Sequence, residues 1–172
     1  MAITVQMQFE SAVTEMYQDA FVGSSIENGV TIITFDLRQH DFHQELGTQA
    51  RLWWRKESYH VDVHELSTFH NPMTYRFIIA QGFYLDAQNQ RRSFTPELQG
   101  VSTSQHMSHS VIRLACYLAV VCGVSLRHIA LLFSALFLMP ITKSSIKGWI
   151  DAIGAHCPPP RRCCSNCWRS PQ

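Results

Sequence analysis

The chain has 172 residues, which is enough for one sizeable domain or two small ones. Only 16% of the residues are charged, a low fraction that suggests surface covered by a partner. The first residues lack a basic leader followed by an apolar core, so we expect a cytoplasmic protein without a secreted disulfide framework.

Charge is distributed unevenly along the chain. Residues 1–107 contain seven Lys or Arg and twelve Asp or Glu, whereas residues 108–172 contain seven Lys or Arg and one acid, Asp151. This asymmetry is expected when one segment of a protein meets a polyanion. The C-terminal part is therefore the candidate for nucleic-acid binding.

The N-terminal part is predicted to be a mixed α/β region. Residues 8–21 place apolar side chains at spacings of three and four, which predicts a short amphipathic helix. Residues 27–29 predict a turn, and residues 30–37 and 59–66 predict strands. Residues 75–85 and 91–94 predict a β-hairpin that ends at Pro96.

The predicted fold class is α+β, with four segments in order. We expect a mixed α/β region over residues 1–98, a polar linker over 99–110 and a helical domain over 111–154. Residues 155–172 form a tail rich in Pro, Arg and Cys, which we expect to be disordered.

The helical part is predicted to contain three helices. The first begins at Ser108 and ends at Gly123, and the second is capped by Ser125. Pro140 interrupts the chain, after which Thr142 caps a third helix that Gly154 ends. The inward face of the third helix is predicted to be Ile146, Trp149, Ile150 and Ile153, and its outward face Lys143, Ser144, Lys147, Gly148 and Asp151.

An apolar stretch over residues 114–141 raises the question of a membrane span. Arg127 and His128 divide it into two runs of 13 residues, each shorter than the roughly 20 needed to cross a bilayer. We therefore expect two packed helices and no membrane contact.

Three stretches resemble the N-terminal helix-turn-helix of insertion-sequence transposases: VIRLA at 111–115, GVSLRHIA at 123–130 and PITKSSIKGWI at 140–150. In that family a zinc ribbon often precedes the helices, and a DDE-type, ribonuclease-H-like nuclease domain follows them. The resemblance implies terminal-repeat DNA as the ligand, a nucleoid-associated protein, and a fragment truncated before its catalytic domain. Partners would be double-stranded DNA and a second copy or the full-length transposase.

The chain departs from the family pattern at two places. The segment over residues 134–141 is longer than the turn of a compact helix-turn-helix, which has three or four residues. The predicted hairpin stands where a zinc ribbon would lie but contains no cysteine. It would therefore be a degenerate ribbon without metal.

The third helix is the predicted recognition helix. We expect Lys143, Ser144, Ser145 and Lys147 to face the DNA groove, and Arg113 and Arg127 to contact phosphates. The alternative is an ordinary three-helix bundle in which the lysines are merely solvated.

The sequence also bears on metal binding, catalysis and base stacking. Cys157, Cys164 and Cys167, with His156, could bind zinc, but three consecutive prolines leave no scaffold, so no metal or cofactor is predicted. After Glu97 the only acid is Asp151, which argues against the clustered carboxylates of a nuclease and against an enzyme. The sequence Trp53-Trp54-Arg55-Lys56 could stack bases beside a phosphate contact, or place an aromatic pair in the core.

Two other functions stay open at this point. Residues 131–139 could dock a partner or a second copy, which would make the chain a protein-interaction or oligomerisation module. The second alternative is that the chain is a small membrane-associated protein.

Overall fold

The computed structural model describes residues 12–47, 51–66 and 70–156. Over these ranges a mixed sheet of seven strands, with two short helices before and between its strands, is followed by three longer helices. The predicted α+β class is confirmed at this level.

The chain enters the sheet through a short helix and a hairpin. Helix α1 is Ala12–Met16, and a 3-10 turn covers Gln18–Ala20. Strands β1 (Phe21–Glu27) and β2 (Val30–Asp36) pair antiparallel around Asn28 and Gly29, whose φ angles are 52° and 79°. The predicted helix over 8–21 is therefore too long at its C-terminal end, and β1 was not predicted because Gly23 and two serines weaken its strand signal.

The centre of the sheet is built from two long strands. Helix α2 (His43–Leu46) precedes β3 (Trp53–Glu65), which pairs antiparallel with β4 (Met73–Leu85). The first half of β4 pairs in parallel with β2, and its second half pairs antiparallel with β5 (Arg91–Phe94). The strand order is β1-β2-β4-β3-β7-β6, with β5 beside β4.

The predicted hairpin needs a correction. Strands β4 and β5 do pair, but β4 also pairs with β2 and β3, so this hairpin lies in the middle of a large sheet. A zinc ribbon is a small unit that depends on its metal. The degenerate-ribbon interpretation is not supported by this architecture.

One hydrophobic core lies between the sheet and the elements around α1. Tyr17 is 2% exposed, and its hydroxyl accepts a hydrogen bond of 2.7 Å from the Gln99 amide. The buried members of this core are Val13, Tyr17, Ala20, Phe35, Leu37, Phe42, Val63, Tyr75, Phe77, Ile79 and Val101.

The predicted linker over 99–110 carries regular structure. Strands β6 (Val101–Ser102) and β7 (Met107–Ser108) pair with each other, and β7 pairs in parallel with β3 at His64 and Met107. The segment therefore joins the sheet to the helices through hydrogen bonds.

The helices follow directly. Helix α3 is His109–Val120 with Ser108 as N-cap, and α4 is Leu126–Leu136 with Ser125 as N-cap. Helix α5 is Lys143–His156, so it continues past Gly154, where we predicted its end. Ile153, predicted to face inward, is 46% exposed.

A second core holds the three helices together. Its buried members are Met107, Val111, Ala115, Cys116, Ile129, Phe133, Met139, Ile141, Ile146 and Trp149. The first core runs from Val13 to Val101 and the second from Met107 to Trp149. The division into separate domains stays a prediction.

The connection between α4 and α5 is packed. Leu138 adopts φ of 52°, which reverses the chain so that the Met139 amide donates to the Phe133 carbonyl at 3.2 Å. Met139 and Ile141 are 4% and 7% exposed. The extra length relative to a compact helix-turn-helix is therefore folded into the second core.

The predictions for the tail concern residues outside the described ranges, including Cys157, Cys164 and Cys167. Among the helices that are described, none has the length and apolar character to span a bilayer.

Candidate nucleic-acid interface

Helix α5 begins at a hydroxyl cap. The Thr142 hydroxyl accepts a hydrogen bond of 3.1 Å from the Ser145 amide, as an N-cap side chain does. Its Oγ1 atom also lies 2.8 Å from the Ser144 hydroxyl and 2.9 Å from the Ser145 hydroxyl. The first turn of α5 is thus fixed by three neighbouring hydroxyl groups, as the sequence predicted for Thr142.

Two side chains hold α5 against the rest of the molecule. Ile146 is 0% and Trp149 4% exposed. The Trp149 indole N–H donates to the side-chain carbonyl of Gln105, in the turn between β6 and β7. Gln105 was missed by the sequence analysis because it lies in a polar stretch that gives no periodic signal.

The exposed surface of α5 carries two lysines. Lys143 and Lys147 are exposed, and because they are four residues apart they lie only about 40° apart around the helix axis. Ser144 is exposed and Ser145 half-buried. The structure therefore brings together on one helix four of the six residues predicted to contact DNA.

The other two predicted residues lie on different helices. Arg127 is exposed in the first turn of α4, two residues after the capping residue Ser125. Arg113 is exposed on α3 and lines a groove with Trp149 and Ile153, towards the C-terminal end of α5. Arg113 on α3 therefore lies beside the C-terminal half of α5, whereas Lys143 lies at the N-terminal end of α5.

Charge on the helical unit is mostly of one sign. Over residues 109–156 the basic residues are Arg113, Arg127, Lys143 and Lys147, and the acid is Asp151. Asp151 is exposed and lies one turn after Lys147. The arrangement can attract a phosphate backbone, with Asp151 opposing that attraction locally.

The described residues also bear on metal chemistry. Within residues 12–47, 51–66 and 70–156, no group of three or more His, Cys, Asp or Glu could hold a metal ion. Two histidines of the sheet region make local contacts: His40 Nδ1 lies 2.7 Å from Asp19 Oδ1, and His64 Nδ1 lies 3.4 Å from the Thr74 hydroxyl.

Searches with family models, curated proteins and solved structures found no match to this chain.

Proposed function

We propose that the helical unit binds double-stranded DNA, with α5 as the recognition helix of a helix-turn-helix. The observation that carries the proposal is the two-sided character of α5. Ile146 and Trp149 fix one side in the core, and Lys143 and Lys147 are exposed beside it. A recognition helix needs this combination because its orientation must be rigid while its outward side chains approach phosphates and base edges.

The hydrogen bonds of the cap assign different roles to the polar residues. Both Ser144 and Ser145 hydroxyls are bonded to Thr142, so in this proposal they contact DNA only after their hydroxyl groups rotate. Lys143 and Lys147 supply the first electrostatic contacts, and Arg127 extends them to a neighbouring phosphate. The sequence resemblance to insertion-sequence transposases is consistent with this assignment, and terminal-repeat DNA is the ligand that it implies.

The test is binding of the full chain to a labelled duplex at several salt concentrations. Each neutralised phosphate contributes a slope of about −0.9 in a plot of log affinity against log salt. Replacing Lys143 and Lys147 by Ala should therefore flatten the slope by about two units. The matched control, Lys143→Arg with Lys147→Arg, keeps the charge and should keep the slope.

Two results would reject the proposal. One is duplex affinity that does not depend on salt. The other is an equal slope for the Ala and Arg double variants, which would place the DNA contacts elsewhere.

A second candidate function is self-association or partner binding through the same helices. Large apolar side chains are exposed on α3 and α4: Tyr117 is 55%, Val120 67% and Leu131 58% exposed. Surface of this kind commonly marks a protein contact. Sedimentation at increasing protein concentration tests it, and association without duplex affinity would favour this function over the first.

A further inference from the structure

The tryptophan pair at the start of β3 is divided between the two faces of the sheet. Trp54 packs towards the first core, with ring centroids 5.9 Å from Phe42 and 5.4 Å from Phe94. Trp53 is 41% exposed and pairs across the strands with Phe83. Trp54 therefore packs in the core, and the base-stacking interpretation remains a prediction for Trp53 alone.

Two basic side chains lie over the ring of Phe83, the cross-strand partner of Trp53. The Arg91 guanidinium lies 4.0 Å from the centroid of the Phe83 ring, and that of Arg55 lies 5.9 Å from it. Trp53, Phe83, Leu85 and Arg91 line an open cleft of about 320 Å³. We call Trp53, Arg55, Phe83 and Arg91 the aromatic platform.

This end of the sheet is basic although the N-terminal part as a whole is acidic. Five of the seven Lys or Arg in residues 1–107 are Arg51, Arg55, Lys56, Arg91 and Arg92, in or next to the strand ends that form the platform. Within the described ranges, neither Arg55 nor Arg91 forms an ion pair with a carboxylate.

The nearby acids do not neutralise the platform. Asp86 is already bonded to Arg92 and to the amides of Gln88 and Gln90. Glu57 is exposed in the irregular stretch of β3 between Trp54 and Ser58. The charge available to a ligand on the platform is therefore positive.

We propose that the aromatic platform binds single-stranded nucleic acid. An exposed indole beside arginines offers what an unpaired strand requires, a flat surface on which a base stacks and cations that contact its phosphates. Paired bases in a duplex are already stacked on one another, so the platform discriminates in favour of unpaired strands. This site is separate from α5 and does not depend on the function proposed for it.

The test uses the full chain and two probes, a labelled single-stranded oligothymidine and a labelled duplex of mixed sequence. Trp53→Ala should weaken binding to the single strand about tenfold, because one stacking contact is lost, while Trp53→Phe should keep most of the affinity. Trp53 is 41% exposed, so Trp53→Ala also removes the buried part of the ring and should lower the thermal stability, whereas Trp53→Phe should lower it less. Thermal unfolding of both variants is measured first, and binding is compared at a temperature at which both are folded.

Two neighbouring arginines provide a matched test of the electrostatic contacts to the single strand. Arg91 and Arg92 are adjacent on β5, and strand alternation places their side chains on opposite faces. Arg91→Ala should lower the salt slope for the single strand by about 0.7. Arg92→Ala removes the same charge from the other face and should leave the slope unchanged.

Three outcomes would overturn the proposal. These are single-strand affinity that is unchanged in Trp53→Ala, equal effects of Arg91→Ala and Arg92→Ala, and single-strand binding that is lost when Lys143 and Lys147 are replaced. The last would show that α5 binds both probes.

Discussion

The buried hydroxyl of Ser108 donates a hydrogen bond of 2.7 Å to the Glu65 carboxylate, which is 2% exposed. The same hydroxyl accepts from the Val111 amide at 3.3 Å and so caps α3. Glu65 is the last residue of β3, and its Oε1 also accepts from the Leu66 amide. One side chain thus couples the end of a central strand to the start of the helical unit.

Replacing Ser108 by Ala should lower the free energy of unfolding by about 2–4 kcal/mol. Loss of the cap costs about 1 kcal/mol, and removal of a donor from a buried carboxylate costs about 1–3 kcal/mol more. Urea unfolding measures the change. Ser125→Ala is the matched control, because Ser125 caps α4 in an exposed position and should cost only about 1 kcal/mol. Equal losses for the two variants would mean that the bond to Glu65 contributes nothing.

Gly82 should not tolerate a side chain. A Cβ atom there would lie 2.2 Å from Cε1 of Phe94, and the Phe94 ring is held by Phe42, Trp54 and Tyr84. Gly82→Ala should therefore cost about 1–3 kcal/mol of unfolding free energy.

The control for Gly82 is another glycine. Gly148 is exposed inside α5 with no atom near its Cβ position, so Gly148→Ala should raise the unfolding free energy by up to about 1 kcal/mol. The double variant Gly82→Ala with Phe94→Ala should lose less than the sum of its single changes. Additive losses would mean that the clash with Phe94 is not the cause.

The pKa of the Asp36 carboxyl lies below its usual value of 3.8, chiefly because Arg38 donates hydrogen bonds to it, of 2.6 Å at the shortest, while burial acts in the opposite sense. A folded-state pKa below the unfolded one stabilises the fold above pH 3.8, and this contribution disappears as the pH falls through the lower value. Asp36→Asn should therefore cost about 1 kcal/mol at pH 7 and less in acid.

Unfolding free energies measured between pH 7 and pH 2 check this prediction. Asp151→Asn, at an exposed position of α5, should change stability at pH 7 by no more than about 0.5 kcal/mol. If Asp36→Asn shows the same loss at every pH, the carboxylate is not linked to folding in the way described.

The elements that the sequence predicted well are those with strong local signals. Ser108 and Ser125 begin helices because their hydroxyls satisfy free amides, and Asn28-Gly29 forms a turn because both residues accept positive φ. Strand β1 lacks such a signal, since its conformation depends on pairing with β2. The long-range pairing of β4 with three other strands also depends on contacts that no local pattern encodes.

In the candidate sites, too, features with a local sequence signal were predicted and features that depend on tertiary contacts were not. The outward position of Lys143 and Lys147 followed from helical periodicity around Ile146 and Trp149. The sequence indicated either base stacking or core packing for Trp53 and Trp54, but it could not show which of the two rings is buried. That depends on contacts with Phe42 and Phe94, which lie on other elements of the fold.

A last prediction concerns the acid on the outward side of α5. If Lys143 and Lys147 face phosphates, Asp151 lies one turn further along the same exposed surface and repels them. A charge about 10 Å from a phosphate in water is worth a few tenths of a kcal/mol, so Asp151→Asn should raise duplex affinity about twofold at low salt. The gain should fade as salt increases, which fluorescence anisotropy at several salt concentrations can measure. Because the same substitution should leave stability almost unchanged, a gain in affinity would locate the DNA beside α5, whereas unchanged affinity at low salt would place it on another surface.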